Sequence, residues 1–162
     1  MPESNTRWPA YARVPPFLPV PLRARRDGWT VARQAHFIGY LAETGSVAAA
    51  ARRVGMSRMG AWRLRRRAGA ESLAHAWDAV MALHARVDPA SVTFPRRKVT
   101  PGELAEHAYD GPIVVHMRRG RYAGAQREPN ANALIRHLKR LDAAAARYGW
   151  DWGDPMPGEA AR

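Results

Sequence analysis

The chain has 162 residues and a formal net charge of +12, from 26 Lys and Arg against 14 Asp and Glu. This balance favours an acidic polymer as partner, above all nucleic acid, and makes an anionic membrane surface the weaker alternative. The absence of cysteine excludes disulfides, Cys-ligated zinc and thiol catalysis, and it fits a reducing compartment. No apolar run approaches the roughly twenty residues that span a bilayer, so we expect a cytoplasmic protein.

Residues 1–26 are rich in proline and end in a basic run. The prolines exclude a continuous helix and favour extended structure or disorder. Two interpretations stay open: a basic arm that places Arg25 and Arg26 in the minor groove of DNA, and a solvated tail. The segment also contains three aromatic residues, Trp8, Tyr11 and Phe17. A disordered tail seldom needs them, which suggests packing on the domain or on a neighbouring subunit.

Residues 27–87 are expected to form a helical domain of about four helices. Thr30 is a suitable N-cap for the first helix, which should end at Gly45. The last helix of the domain should begin near Glu71 and bury Trp77, which closes the core.

Between these two helices, residues 45–67 have the pattern of a helix-turn-helix. Ser46 is a favourable N-cap for the first helix, and Gly55 supplies the left-handed residue that ends it. Ser57 then caps the second helix. Four residues should form the contact between the two helices: Ala50, Ala51, Ala61 and Leu64.

The second helix, residues 57–67, carries a basic outward face, and no Asp or Glu occurs from Thr44 to Ala70 to cancel its charge. A recognition helix needs side chains that reach base edges and others that hold phosphates. Three residues are expected to face base edges: Arg58, Met59 and Arg63. Three others are expected to hold the backbone: Ser57, Trp62 and Arg66. The full predicted DNA-binding set is Ser46, Ser57, Arg58, Met59, Trp62, Arg63, Arg65, Arg66, Arg67, Arg25 and Arg26. The alternative is a solvated basic face.

The run from Arg26-Asp27-Gly28-Trp29-Thr30 to Ala76-Trp77-Asp78-Ala79 resembles small helix-turn-helix DNA-binding proteins common in alphaproteobacteria. It is also similar to the N-terminal domain of phage terminase small subunits. The resemblance covers roughly residues 25–80, and it implies sequence-directed DNA binding.

The remaining chain is expected to form an accessory part. Residues 88–99 are interpreted as a linker, and residues 100–149 as a hairpin-plus-helix oligomerisation region. Thr100 should start a short helix through a capping box. Two strands around Arg119-Gly120 predict a β-hairpin with a basic tip, either a phosphate contact or an exposed turn. Residues 150–162 are expected to form a loose acidic tail.

The last predicted helix starts at Asn130 or Asn132 and runs to about Tyr148. It carries one apolar stripe: Leu134, Leu138, Leu141, Ala145 and Tyr148. This stripe is expected either to cover the hairpin or to pair with its copy in a second subunit.

The sequence lacks the patterns of common catalytic sites. Its six histidines have no ligand spacing, and it contains no nucleotide-binding loop or nucleophile elbow. The acidic residues are spread thinly, without a cluster suited to Mg²⁺. We therefore expect no enzymatic activity, no metal and no cofactor.

Together these patterns predict a mainly α protein with a small α+β C-terminal part. The predicted function is sequence-specific binding of double-stranded DNA in transcriptional control. One recognition helix reads too few base pairs, so a homo-oligomer, with a dimer favoured, is expected. Two alternatives remain: a phage-like terminase small subunit that works with packaging machinery, and a basic adaptor that binds an acidic partner such as a polymerase subunit.

Overall fold

The computed structural model describes residues 13–23, 25–87 and 99–149. Within them, six helices and one antiparallel hairpin occur in this order: α1 Val31–Thr44, α2 Val47–Arg53, α3 Arg58–Arg65, α4 Glu71–His84, α5 Pro101–Tyr109, β1 Ile113–Arg118, β2 Arg121–Arg127 and α6 Ala131–Tyr148. The predicted mainly α fold, with a hairpin before a C-terminal helix, is confirmed. Most of the predicted linker and all of the predicted acidic tail lie outside the described residues.

The helices begin at the residues that the sequence indicates, whereas α3 ends at Arg65, two residues before the predicted end at Arg67. Gly45 and Gly55 follow α1 and α2 with φ of +65° and +71°, a left-handed backbone that glycine adopts without strain. Five N-cap side chains accept a hydrogen bond from the backbone N–H three residues later: Thr30, Ser46, Ser57, Thr100 and Asn130.

The main core surrounds α1, whose Phe37, Ile38 and Leu41 are completely buried. Trp77 of α4 packs on Phe37 with ring centroids 4.9 Å apart. Nine further side chains from α2, α3, α4 and β1 are buried in the same cluster: Ala50, Ala51, Ala61, Leu64, Leu73, Ala76, Val80, Ile113 and Val115. One continuous core therefore joins the helix-turn-helix to the hairpin.

Residues 13–23, the N-terminal segment, belong to this core as well. Phe17 is 0% exposed and Val20 is 2% exposed. Phe17 and Ile113 exchange two backbone hydrogen bonds, of 3.1 and 2.7 Å, so the segment adds a short bridge to the edge of β1. The interpretations of a free arm or a solvated tail are wrong for this stretch, because its apolar residues are buried against the domain. Packing of Phe17 on the domain is confirmed, and Trp8 and Tyr11 lie outside the described residues.

Gln34 of α1 fixes the N-terminal segment in place. Its buried side-chain amide accepts a hydrogen bond from the Val20 N–H (2.7 Å) and donates to the carbonyl oxygens of Val20 and Trp29, both at 3.1 Å. The Leu18 N–H donates to Ser72 Oγ at 2.8 Å. Apart from the bridge at Phe17, the described part of this segment has no strand pairing, so it needs such bonds because buried backbone groups are costly to leave unpaired.

The hairpin packs on α1 through Tyr122. A Cβ atom at Gly39 would overlap the Tyr122 ring, so the glycine allows the two elements to approach closely. The Tyr122 N–H donates to Glu43 Oε2 at 2.8 Å, and its hydroxyl lies 2.7 Å from His36 Nδ1. Burial, together with the nearby Tyr40, raises the pKa of Tyr122 to about 12. The hairpin therefore belongs to the main core, in contrast to the predicted separate accessory region.

Helices α5 and α6 pack on each other around a small second cluster of Leu104, Ala108 and Ala133. Among the described helices and strands, α6 packs against α5 alone. Within the predicted stripe on α6, Leu138 is 43% exposed and Leu141 is 38% exposed. It does not cover the hairpin, so that alternative is wrong.

None of the helices in the described ranges has the length and apolar content needed to cross a bilayer.

A substitution at Phe17 tests the place of the N-terminal segment in the core. Phe17→Ala should lower the free energy of unfolding by about 3–5 kcal/mol, because it leaves a cavity in the main core, where Phe17 is fully buried. Arg13→Ala, at an exposed position of the same segment, should change it by less than about 0.5 kcal/mol. Urea unfolding followed by circular dichroism measures both, and equal, small effects would show that the segment lies outside the core.

Candidate nucleic-acid interface

The helix-turn-helix is held by short local contacts. Ser57 Oγ accepts the Gly60 N–H at 2.9 Å and starts α3. The Met56 N–H donates to the Ala51 carbonyl oxygen at 2.9 Å, which closes the turn. Ala61 and Leu64 then bury the inner side of α3, at 0% and 2% exposure. The predicted inward positions are confirmed, and the opposite side of α3 faces outward.

Five residues of the predicted set share the outward side of α3 and the turn after it. All five are exposed, with Met59 at 62%. We call them the recognition face: Arg58, Met59, Arg63, Arg66 and Arg67. No carboxylate in the described ranges forms an ion pair with any of these four arginines. Their charge therefore remains available to an anionic ligand.

Trp62 and Arg65 have a different environment. Trp62 is partly buried and packs on Trp77, with ring centroids 5.1 Å apart. Arg65 Nη2 donates to both carboxylate oxygens of Asp78 at 2.7 Å. The expectation that no acid cancels the charge of this region is wrong for Arg65, because α4 supplies Asp78 across the fold. Both side chains hold α3 against α4.

Ser46 and Ser57 lie exposed at the starts of α2 and α3, and each side-chain oxygen accepts a backbone N–H. The hydroxyl hydrogen of each serine can still be donated to a phosphate oxygen. The N-terminus of a helix also attracts anions through its free N–H groups. Both serines are thus compatible with a contact to the DNA backbone.

A cleft of about 450 Å³ separates α3 from the chain that leads into α1. Arg25, from the predicted arm, lines it together with Arg63 and Arg67 of the recognition face. Trp29 and Met56 line it as well. We call this the basic cleft. Arg26 is exposed nearby in the chain but does not line it.

Arg23, which belongs to the basic run of the predicted arm but not to the predicted DNA-binding set, also lines the basic cleft. The basic run before the first helix was the available signal. Its distance in sequence from α3 gave no reason to connect the two. The structure connects them because Gln34 and Arg33 hold the chain back against α1.

The hairpin tip, Arg118–Arg121, forms a second basic patch. All three of its arginines are exposed, and Arg119 and Gly120 make the turn with φ of +52° and +77°. Glu43 lies between this tip and α2, since it accepts the Tyr122 N–H and pairs with Arg53 Nη1 at 2.6 Å. Burial raises the pKa of Glu43, but its hydrogen bonds and the charges of Arg53 and Arg121 outweigh burial and lower it overall.

In the described part of the chain, no group of three or more His, Asp and Glu residues could hold a metal ion. His84 Nε2 lies 2.8 Å from the Ala42 carbonyl oxygen. His36 bonds to Tyr122, and His116 lies 3.9 Å from a carboxylate oxygen of Glu128. These three imidazoles have partners within the fold.

Comparison with protein-family models, with curated proteins and with solved structures gave no match to this chain.

The sequence pattern predicts a DNA contact for both Trp62 and Met59. Substitutions at these two positions should nevertheless have different effects on the free energy of unfolding. Trp62→Ala should lower the free energy of unfolding by about 2 kcal/mol or more, because it removes the contact with Trp77. Met59→Ala should change it by less than about 0.5 kcal/mol, because the side chain is exposed. Thermal and urea unfolding measure both. A stable Trp62→Ala variant would contradict the structural role of Trp62.

Proposed function

We propose that the protein binds double-stranded DNA with α3 in the major groove. The observation that carries this proposal is the recognition face, four arginines and an exposed methionine on a helix whose other side is fixed by the core. A rigid helix in a helix-turn-helix can place such side chains against base edges. A basic helix that only improved solubility would not need its inner side to be fixed in this way against the core.

The roles within the recognition face follow from position. Arg58 and Met59 lie in the first turn of α3 and Arg63 lies one turn later, so they would face base edges. Arginine pairs with guanine in a bidentate manner, which contributes roughly 1–3 kcal/mol of discrimination for each good pair. Arg66 follows α3, and it would contact the sugar-phosphate backbone with Ser57.

The distribution of the exposed arginines supports DNA over an acidic protein partner. The recognition face and the basic cleft adjoin each other and share Arg63 and Arg67, while the hairpin tip presents three further arginines from another part of the chain. Repeated phosphates along a duplex can engage several separate basic surfaces at once. An acidic protein partner remains the competing proposal, and specific DNA selection separates the two.

Transcriptional control by a homo-oligomer is the role that we propose for this binding. One recognition helix reads few base pairs, so useful specificity calls for two or more copies. The exposed stripe of α6 supplies a surface for that assembly, because its apolar residues follow a four-three spacing typical of a helix–helix seam. DNA packaging would call for a larger assembly.

Selection of bound sequences from a random duplex library tests the proposal. At about 0.15 M salt the wild type should enrich a motif that contains guanines, because phosphate contacts alone carry no sequence information. A variant with Arg58→Ala and Arg63→Ala should lose preference at those guanines. Arg147→Ala, on an exposed part of α6, is the control and should keep the motif. An unchanged motif in the double variant would remove α3 from base recognition.

The mass in solution tests the role of α6. The wild type should be a dimer of the 18.0 kDa chain, and a variant with Leu138→Glu and Leu141→Glu should be a monomer, because charges cannot be buried in an apolar seam. Lys139→Glu, exposed on the same helix, should remain a dimer. Light scattering after gel filtration measures all three. A monomeric wild type would contradict the proposed assembly, and a large ring would favour packaging.

A further inference from the structure

The basic cleft combines two walls from distant parts of the chain. Arg23 and Arg25 lie on the N-terminal side, and Arg63 and Arg67 lie on the α3 side. Among the described residues, no Asp or Glu lines this cleft. An anion in the cleft would therefore meet four positive charges and no opposing carboxylate along its walls.

The N-terminal wall is built before any ligand arrives. Arg33 Nη1 donates to the carbonyl oxygens of Arg26 and Gly28, at 3.0 and 2.7 Å. The Gly28 N–H donates to the Arg25 carbonyl oxygen at 3.1 Å, and Gln34 holds the Trp29 carbonyl oxygen. The backbone that carries Arg25 is thus fixed against α1. A fixed wall loses less entropy on binding than a flexible arm does.

In the protein without a ligand, the repulsion between the arginines of the cleft is electrostatically unfavourable. Ion pairs in the described ranges neutralise Arg53, Arg65 and Arg127, which hold helices and strands together. They involve none of the four arginines that line the cleft. Like charges in one cleft repel each other, and a bound anion would relieve this repulsion.

We infer that the basic cleft binds the phosphodiester backbone of DNA, on the strand beside the groove that α3 enters. The inference rests on the proposed function and adds a second contact to it. Arg63 belongs both to the recognition face and to the cleft, so a strand held in the cleft adjoins the bases that α3 would read. Arg25 then contacts phosphate from a fixed position, and it does not act as part of a free arm in the minor groove.

The test compares two double variants that remove the same charge. Arg25→Ala with Arg67→Ala removes one arginine from each wall and leaves Arg63 in place. Lys139→Ala with Arg147→Ala removes two exposed charges from α6. The dissociation constant of the selected duplex is measured by fluorescence anisotropy from low to moderate salt, after thermal unfolding has shown that both variants are folded.

The cleft variant should reduce the slope of log affinity against log salt by about 0.9 for each phosphate that the protein no longer neutralises, or about 2 in total. The α6 variant should keep the wild-type slope. The variant with Arg25→Lys and Arg67→Lys should keep most of the slope, since lysine also neutralises phosphate. The selected motif should be unchanged in all of them, because phosphate contacts carry no sequence information.

The outcomes separate this inference from the proposed function. If the wild type selects a motif but the cleft variant keeps the wild-type salt dependence of affinity, the inference that the cleft binds the DNA backbone is wrong. Base recognition by α3 would still hold. If the cleft variant reduces the salt dependence but no motif is selected, phosphate binding by the cleft is supported and sequence-specific DNA binding is wrong. Inorganic phosphate at matched ionic strength should compete no better than chloride. If phosphate competes more strongly than chloride with the wild type, and this difference disappears in the cleft variant, the cleft binds free phosphate. The assignment of the cleft to DNA would then be wrong.

Discussion

The buried amide of Gln34 is the interaction on which the arrangement of the surface depends. It binds the backbone of Val20 and Trp29 and thereby holds an extended segment against α1. On one side of this clamp the segment reaches β1 through Phe17. On the other side the chain forms one wall of the basic cleft. A single buried side chain thus positions both the hairpin bridge and a candidate DNA contact.

The distribution of acidic residues decides which arginines are available to a ligand. Glu43, Asp78 and Glu106 pair with arginines that join elements of the fold: Arg53, Arg65 and Arg127. In the described ranges, the recognition face has no such pair. The four arginines of the recognition face therefore keep a positive charge that no acidic residue in the described ranges compensates through an ion pair.

The C-terminal half of the structure divides between two roles. The hairpin packs on α1 through Tyr122 and completes the main core, while α5 and α6 pack on each other. In the apolar stripe of α6, Leu138, Leu141 and Tyr148 are exposed. The proposed assembly surface on α6 and the recognition face on α3 therefore belong to different elements of the chain.

Local signals in the sequence determined the helix starts, the Gly55 turn, the inward residues of α3 and the hairpin. Capping, glycine conformation and apolar periodicity act over a few residues, so they can be read without the fold. The core position of Phe17, the Arg65–Asp78 pair, the place of Trp62 and the basic cleft were decided only by the tertiary structure. Each of these joins residues from separate elements, and the burial and charge of a side chain depend on neighbours that only folding supplies.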